Sequence, residues 1–258
     1  MRLLPPSIRH SLLALLATAC ALCSPVALNA QPIQYPPVEF RYLTIAPEAI
    51  IAMVPPPPPE NSLADLADVE TMLQIQKDRT PAHVARARAF EYMDCMTVGA
   101  AVFGPKFTRE NLPRTHAFLQ QAFVERRDII VRIKNLSKRP RPFNRELGIE
   151  KCLFDNHEAG FSYPSGHSSV GALMEILLGE AMPEHKARLA EIRHETMWSR
   201  VLAGVHYPTD TVSGSLFGHI VAREMLKNQL TRDAIADMRA EILAFLEKNP
   251  DAKPVQNP

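Results

Sequence analysis

The sequence predicts an all-α protein built as a single helical-bundle domain, and three observations carry that expectation. Apolar residues recur at helical spacing through most of the chain after residue 61. Alternating strand patterns are scarce. With 258 residues and 46% apolar content, one substantial core can be buried.

The N-terminus opens with Arg2 and Arg9, then an apolar run from Ser11 to Cys23, then Pro25 and the small residue Ala30. That order predicts a secretory signal peptide over residues 1–30, cleaved after Ala30. A lipoprotein reading, with Cys20 as the lipidated residue, is weaker because Ala17 stands where a leucine is expected. The apolar core is shorter than the ~20 residues that span a bilayer, so no integral membrane segment is expected in the mature form. Residues 31–60 are rich in proline and end in Pro55–Pro59. Such a run lacks N–H donors and fixes φ, so these residues are expected to form an extended arm.

The helical domain is expected over residues 61–250, followed by a disordered tail at 251–258. Ser62 is a candidate N-cap, with Leu63, Leu66, Val69, Met72 and Leu73 on one face behind it. The same 3.6-residue period recurs at about 83–98, 114–136, 167–180, 185–203, 209–228 and 231–247. Two cysteines remain after the leader, Cys95 and Cys152, and an oxidising compartment would allow them a disulfide. Two free thiols are the alternative. The formal charge is +1, and removing Arg2 and Arg9 with the leader leaves 27 basic against 28 acidic residues. Such a balance gives no basic field for nucleic acid.

Three segments combine cations, histidine and helix-starting small residues in ways that suit a phosphate dianion. In Lys134-Asn-Leu-Ser-Lys-Arg-Pro-Arg141-Pro142 the lysine and arginine are seven apart, two helical turns, although the prolines should end the helix between them. Lysine brings a compact charge and arginine a planar fork for two oxygens. Alone, this is also what a solvated basic helix end looks like. In Tyr163-Pro164-Ser165-Gly166-His167 a helix start would present free N–H groups, Gly166 would allow close approach of an anion, and Ser165 would add a hydroxyl. His167 could give a proton to a leaving oxygen. A plain serine N-cap is the alternative. In Ser199-Arg200, His206 and Asp210 the histidine could attack phosphorus through Nε2 while Asp210 holds Nδ1, with Arg200 neutralising the transferred oxygens. A buried structural His–Asp pair is the alternative there.

Taken together, Lys134-x6-Arg141-Pro142, Pro164-Ser165-Gly166-His167 and Ser199-Arg200-x5-His206-x3-Asp210 resemble, in order and spacing, the signature of the phosphatidic acid phosphatase type 2 superfamily. Gly160 through His167, with the export signal, is most similar to the class A bacterial non-specific acid phosphatases within it. The resemblance implies that His206 becomes a phosphohistidine, His167 protonates the departing alcohol and Asp210 orients His206. It implies that Lys134, Arg141, Ser165, the Gly166 N–H and Arg200 hold the phosphate oxygens, with no cofactor and no required metal. Small-molecule phosphate monoesters are the implied substrates, inorganic phosphate the product, and a periplasmic or secreted homodimer the implied state. Phosphoryl transfer to an alcohol is a plausible side activity. Only Ser168, where threonine is more usual, departs from the common wording.

His83, His116, His157, His185, His194 and His219 fall outside the motifs and are expected to be structural. His157, Glu158, Tyr163 and Phe143 are further candidates for the pocket border. Three other readings use the same residues: a vanadium-dependent haloperoxidase, a lipid phosphate phosphatase, and a non-enzymatic phosphate-binding protein. The lipid-acting members that work within membranes carry several spanning helices, which this chain lacks.

Overall fold

A computed structural model describes residues 35–145, 147–153 and 160–251. The leader with Cys20 and Ala30, the candidates His157 and Glu158, and the tail from residue 252 lie outside the described residues. Among these residues every regular element is helical, as the periodicity predicts.

The arm departs from a free extended segment. Helix α1, Pro47–Ala52, forms within it because Pro47 takes the first-turn position and the stretch behind it has no further proline. Ahead of α1, the backbone N–H groups of Arg41, Tyr42 and Leu43 all donate to the buried carboxylate of Glu125. Tyr42, Leu43 and Ile50 are buried, and the Tyr42 ring meets Phe118 edge-on. Only from Pro55 does the chain behave as the proline run dictates.

Helix α2, Leu63–Asp78, starts at Ser62, whose hydroxyl accepts from the Asp65 N–H at 3.3 Å. Its buried face is not the one the apolar pattern selects. Leu63 and Leu66 are exposed, whereas Asp65 and Asp68 are buried with Met72. The reason is electrostatic: the arginines that α2 meets make ion pairs that outweigh the exposure of two leucines.

The periodic stretch at 83–98 is interrupted, giving α3 (Pro81–Ala89) and α4 (Thr97–Phe103). Between them Asp94 accepts from the N–H groups of Met96 and Thr97 and closes the turn before α4. Helix α5, Pro113–Ser137, ends where Lys138 adopts φ 51° ahead of Pro140. The remaining helices are α6 (Gly166–Ala181), α7 (Lys186–Leu202), α8 (Pro208–Leu226) and α9 (Gln229–Lys248).

Helix α6 runs through the centre. Val170, Leu173, Met174, Leu177 and Leu178 are buried among Phe217, Val221 and Met225 of α8, Ile129 of α5 and Ile242 of α9. Each such side chain stabilises the fold by roughly 1.5–3 kcal/mol through removal from water. Helix α8 reaches α6 closely because Gly214 and Gly218 face the Ser165 and Ser169 carbonyl oxygens, with no room for a Cβ at either. Among the described residues no helix is long and apolar enough to cross a membrane.

Candidate active site

The three sequence motifs occupy the end of α5, the start of α6, and the turn between α7 and α8. Helix α7 ends at Leu202, and Gly204 makes the turn with φ 76°, its Cα against the Glu150 carbonyl. A side chain would be strained in that conformation and would clash as well. The turn returns the chain over the α7 terminus, with Val205 N–H donating to Arg200 O at 3.3 Å.

Helix α8 then starts at Pro208, so His206 precedes the helix and Asp210 lies in its first turn. The pair does not share a helical face. Instead Asp210 reaches back: Oδ2 accepts from the Tyr207 N–H at 3.0 Å and lies 3.3 Å from His206 Nδ1. On the far side of the ring, Arg141 Nη1 is 2.9 Å from His206 Nε2. A guanidinium can only donate, so Nε2 must present its lone pair and Nδ1 must carry the proton toward Asp210. The same Arg141 nitrogen donates to the Val205 carbonyl at 2.9 Å.

Asp210 is wholly buried. Burial pushes its carboxyl up, opposed by the charge of Arg139 and by the Tyr207 N–H. Arg139 Nη1 donates to Asp210 Oδ1 at 2.7 Å, and the Asp210 carbonyl accepts the Ser165 N–H at 2.9 Å. The second motif is thereby tied to the third. Ser165 caps α6, accepting the Ser168 hydroxyl at 2.9 Å, while Gly166 opens the helix with empty space where a Cβ would project.

Lys134 is buried, and its Nζ donates to the carbonyls of Phe161 and Ser162 at 2.6 and 3.1 Å. It thus reaches the loop that leads into Ser165. Arg200, fully buried, donates to the Phe90 carbonyl at 3.4 Å, and His167 Nε2 is 3.1 Å from the next carbonyl, Glu91 O. The α3–α4 loop therefore supports Arg200 and His167 with two successive carbonyls. All eight residues expected at the site, Lys134, Arg141, Ser165, Gly166, His167, Arg200, His206 and Asp210, are held in this connected set. Among the described residues no cluster of His, Cys, Asp and Glu has the form of a metal centre.

One expectation is corrected, and two candidate border residues are placed. Tyr163 is buried, its hydroxyl donating to the Pro55 carbonyl and accepting from Ser213 at 2.6 Å, and it lies against a cavity that it shares with Pro55–Pro59, Val212 and Leu216. Phe143 packs into a small apolar cluster with Leu202, Ala203 and Val205. Cys95 and Cys152 are free thiols rather than a bridge, because each lies among its own neighbours: Cys95 Sγ is 3.3 Å from Gln120 Oε1, and Cys152 Sγ is 3.7 Å from the Leu202 carbonyl.

Sequence reasoning missed a buried ionic layer behind the histidine. Arg139 joins Asp210 to Asp65 and Asp68, and Arg145 donates to both Asp65 oxygens and to the Tyr207 hydroxyl. Two aspartates three apart on α2 were the available signal, hidden by the leucines between and around them. Beneath α6, Arg126 donates to the Ser169 hydroxyl at 2.6 Å and the Gly166 carbonyl at 3.2 Å. Away from the site, His83 belongs to the capping box of α3, His185 meets Phe103 edge-on and His219 lies 3.0 Å from Glu175.

The PAP2 superfamily model matches residues 118–233. The non-specific acid phosphatase of Providencia stuartii is 29% identical over 170 residues, 62% of this chain and 67% of that protein. The acid phosphatase of Zymomonas mobilis is 30% identical over 128 residues, 48% of each chain. The shared stretches thus span about half to two thirds of these relatives. Among solved structures, a bacterial vanadium-dependent iodoperoxidase superposes with a TM-score of 0.54 at 16% identity, over 68% of this chain and 52% of that one, which is a likeness of fold.

Proposed function

We propose that the chain is a member of the PAP2 superfamily, whose model matches residues 118–233, and that it is an acid phosphatase hydrolysing phosphate monoesters through a phosphohistidine at His206. The observation that carries the reading is the double constraint on one imidazole. Arg141 sits at Nε2 and Asp210 at Nδ1, so the lone pair faces the cation that would hold a phosphate oxygen.

In the first step Nε2 of His206 attacks phosphorus and the bond from phosphorus to the ester oxygen breaks. His167 gives its proton to that oxygen, and the alcohol departs. The phosphorylated ring is cationic, and Asp210 stabilises it through the Nδ1 proton. In the second step His167 takes a proton from water, whose oxygen attacks phosphorus. The phosphorus–nitrogen bond breaks and its electrons return to Nε2. Lys134, Arg141, Arg200, the Ser165 hydroxyl and the Gly166 N–H neutralise the transferred oxygens in both steps, the work a metal does in other phosphatases. An alcohol in place of water would yield phosphotransfer.

Export follows from the leader at residues 1–30, with a periplasmic or secreted mature form. The test is phosphate release from a panel of monoesters across pH by the mature protein, with EDTA present. Turnover in EDTA, lost in His206→Ala, is expected. Turnover abolished by EDTA rejects the metal-free route, and absence of turnover on every ester rejects the phosphatase reading.

A further inference from the structure

We propose that Arg139 is a positioning residue for the phosphoryl transfer, setting the orientation and charge of Asp210 and through it the tautomer of His206. This rests on the reading of His206 as nucleophile.

Arg139 is buried, and its two terminal nitrogens serve four side-chain oxygens. Nη1 donates to Asp210 Oδ1 at 2.7 Å and to Thr209 Oγ1 at 2.8 Å; Nη2 donates to Asp65 Oδ1 and Asp68 Oδ2, each at 2.9 Å. The guanidinium carbon lies 3.9 Å from the centre of the Tyr207 ring, which covers one of its faces. The group is therefore fixed in plane and in rotation. Its backbone is fixed too, since the Arg139 carbonyl accepts the Ser162 N–H at 2.8 Å.

This anchoring decides which Asp210 oxygen faces the histidine. With Oδ1 committed to Arg139, Oδ2 remains for the Tyr207 N–H and for His206 Nδ1. A carboxylate free to rotate would exchange its two oxygens and lose the orientation on which the Nδ1–H tautomer depends.

The charge count points the same way. The buried layer holds two cations, Arg139 and Arg145, against three carboxylates, Asp65, Asp68 and Asp210. Lys134 and Arg141 add positive charge from the other side, so within this layer the carboxylate beside the ring is Asp210, and His206 is the residue that becomes positive when phosphorylated. Without Arg139, three carboxylates would share a single guanidinium, and a buried Asp210 would take up a proton instead of stabilising an imidazolium.

The phosphate ligands Lys134, Arg141 and Arg200 are separate side chains, so the role predicts a split between turnover and binding. The experiment compares the mature wild-type protein with Arg139→Lys, which keeps a positive charge but loses the fork. Measured are kcat, the inhibition constant of inorganic phosphate, the amount of acid-quenched phosphohistidine, and the NMR signal of the His206 Nδ1 proton. A kcat lower by on the order of 10–100-fold is expected, as for outer-shell partners elsewhere. The phosphate inhibition constant should move less than about 3-fold, with the Nδ1 proton signal broadened or shifted.

Wild-type kcat and an unchanged Nδ1 signal in Arg139→Lys, with or without a lower Tm, would make Arg139 a structural clamp and overturn the proposal. Equal losses in kcat and phosphate binding would overturn it as well. If Arg139→Lys does not fold, Asp68→Asn serves, since it loosens both the guanidinium and Thr209 from α2 while leaving the Asp210 carboxylate itself in place; the same split is expected, smaller, and wild-type kcat there rejects the idea. Absence of phosphohistidine in the wild-type protein is a different result: it removes the nucleophile reading itself.

Discussion

Gly214 of α8 faces the Ser165 carbonyl oxygen at the start of α6, so near that a Cβ would overlap it. One turn on, Gly218 has the same relation to the Ser169 carbonyl. The two sites differ in what lies beside them, because the Ser165 N–H is also bonded to the Asp210 carbonyl and Gly166 follows at once. Gly214→Ala and Gly218→Ala are each expected to cost roughly 1–3 kcal/mol through overpacking. Assayed where both remain folded, only Gly214→Ala should also lose phosphate affinity, since it displaces the turn that presents the Gly166 N–H. Thermal melts and phosphate inhibition decide; equal affinity losses in the two variants would mean that helix separation, not the turn, sets binding.

Asp65 predicts a pH-dependent part of the stability. Burial pushes its carboxyl up, but hydrogen bonds from Arg145 and Arg139 and the Asn61 N–H outweigh that and leave it below the ordinary aspartate value. A carboxyl lowered in the folded state stabilises fully above its unfolded pKa, about 3.9, and loses that contribution as pH falls through the lower folded value. Asp65→Asn is therefore expected to cost about 3–5 kcal/mol at neutral pH, since two buried arginines lose a partner. The gap to wild type should narrow below pH ~4. Urea titrations over pH 3–7 measure it, and a gap that stays constant across that range would assign the loss to packing.

Much of the fold and of the proposed site was legible because it is local. The start of α6 at Ser165, the end of α5 before Pro140, and the cation–histidine spacings follow from capping, proline geometry and residue chemistry. What was not legible is tertiary. The burial of Asp65 and Asp68 in place of Leu63 and Leu66 depends on Arg139 and Arg145 arriving from more than 70 residues away, which no periodicity on α2 records. The break between α3 and α4 was missed because Asp94 reads equally well as a helix surface residue and as a turn cap. Tyr163 reads as a wall of the site because it precedes the second motif, whereas its buried ring lines the cavity beside the proline run.

The two thiols predict a simple outcome. Burial pushes Cys95 up to about 12, which leaves on the order of 10^-4 thiolate at pH 8. Cys152 is half-buried. In the mature protein, unfolding without reductant should free both for alkylation, with two added groups by mass, and reductant should not shift Tm. In the native state Cys95 should react far more slowly than its unfolded form. Alkylation only after reduction would establish the bridge that the free thiols exclude.

Arg126 gives the last prediction, and it separates stability from function. The guanidinium is 3% exposed and bonds the neutral oxygens of Ser169 and Gly166, with the Phe123 ring 4.8 Å from its carbon. Burial pushes it down to about 9, so it stays charged at neutral pH without a carboxylate among those contacts. A cation lowered in the folded state costs stability below its folded pKa, and that cost fades as pH rises through about 9. Replacing it with an apolar side chain of similar length should leave the fold as stable or up to roughly 1–4 kcal/mol more stable at pH 7. The charge stands behind the first residue of α6, where it would strengthen the field met by a phosphate bound as proposed. Arg126→Met is therefore expected to weaken phosphate inhibition about 3–10-fold while Tm holds or rises, a trade of binding against stability. Urea denaturation and phosphate titration on the same preparation test both halves. A variant less stable by more than ~2 kcal/mol would show that the two hydrogen bonds outweigh the buried charge, and unchanged phosphate affinity would confine Arg126 to packing.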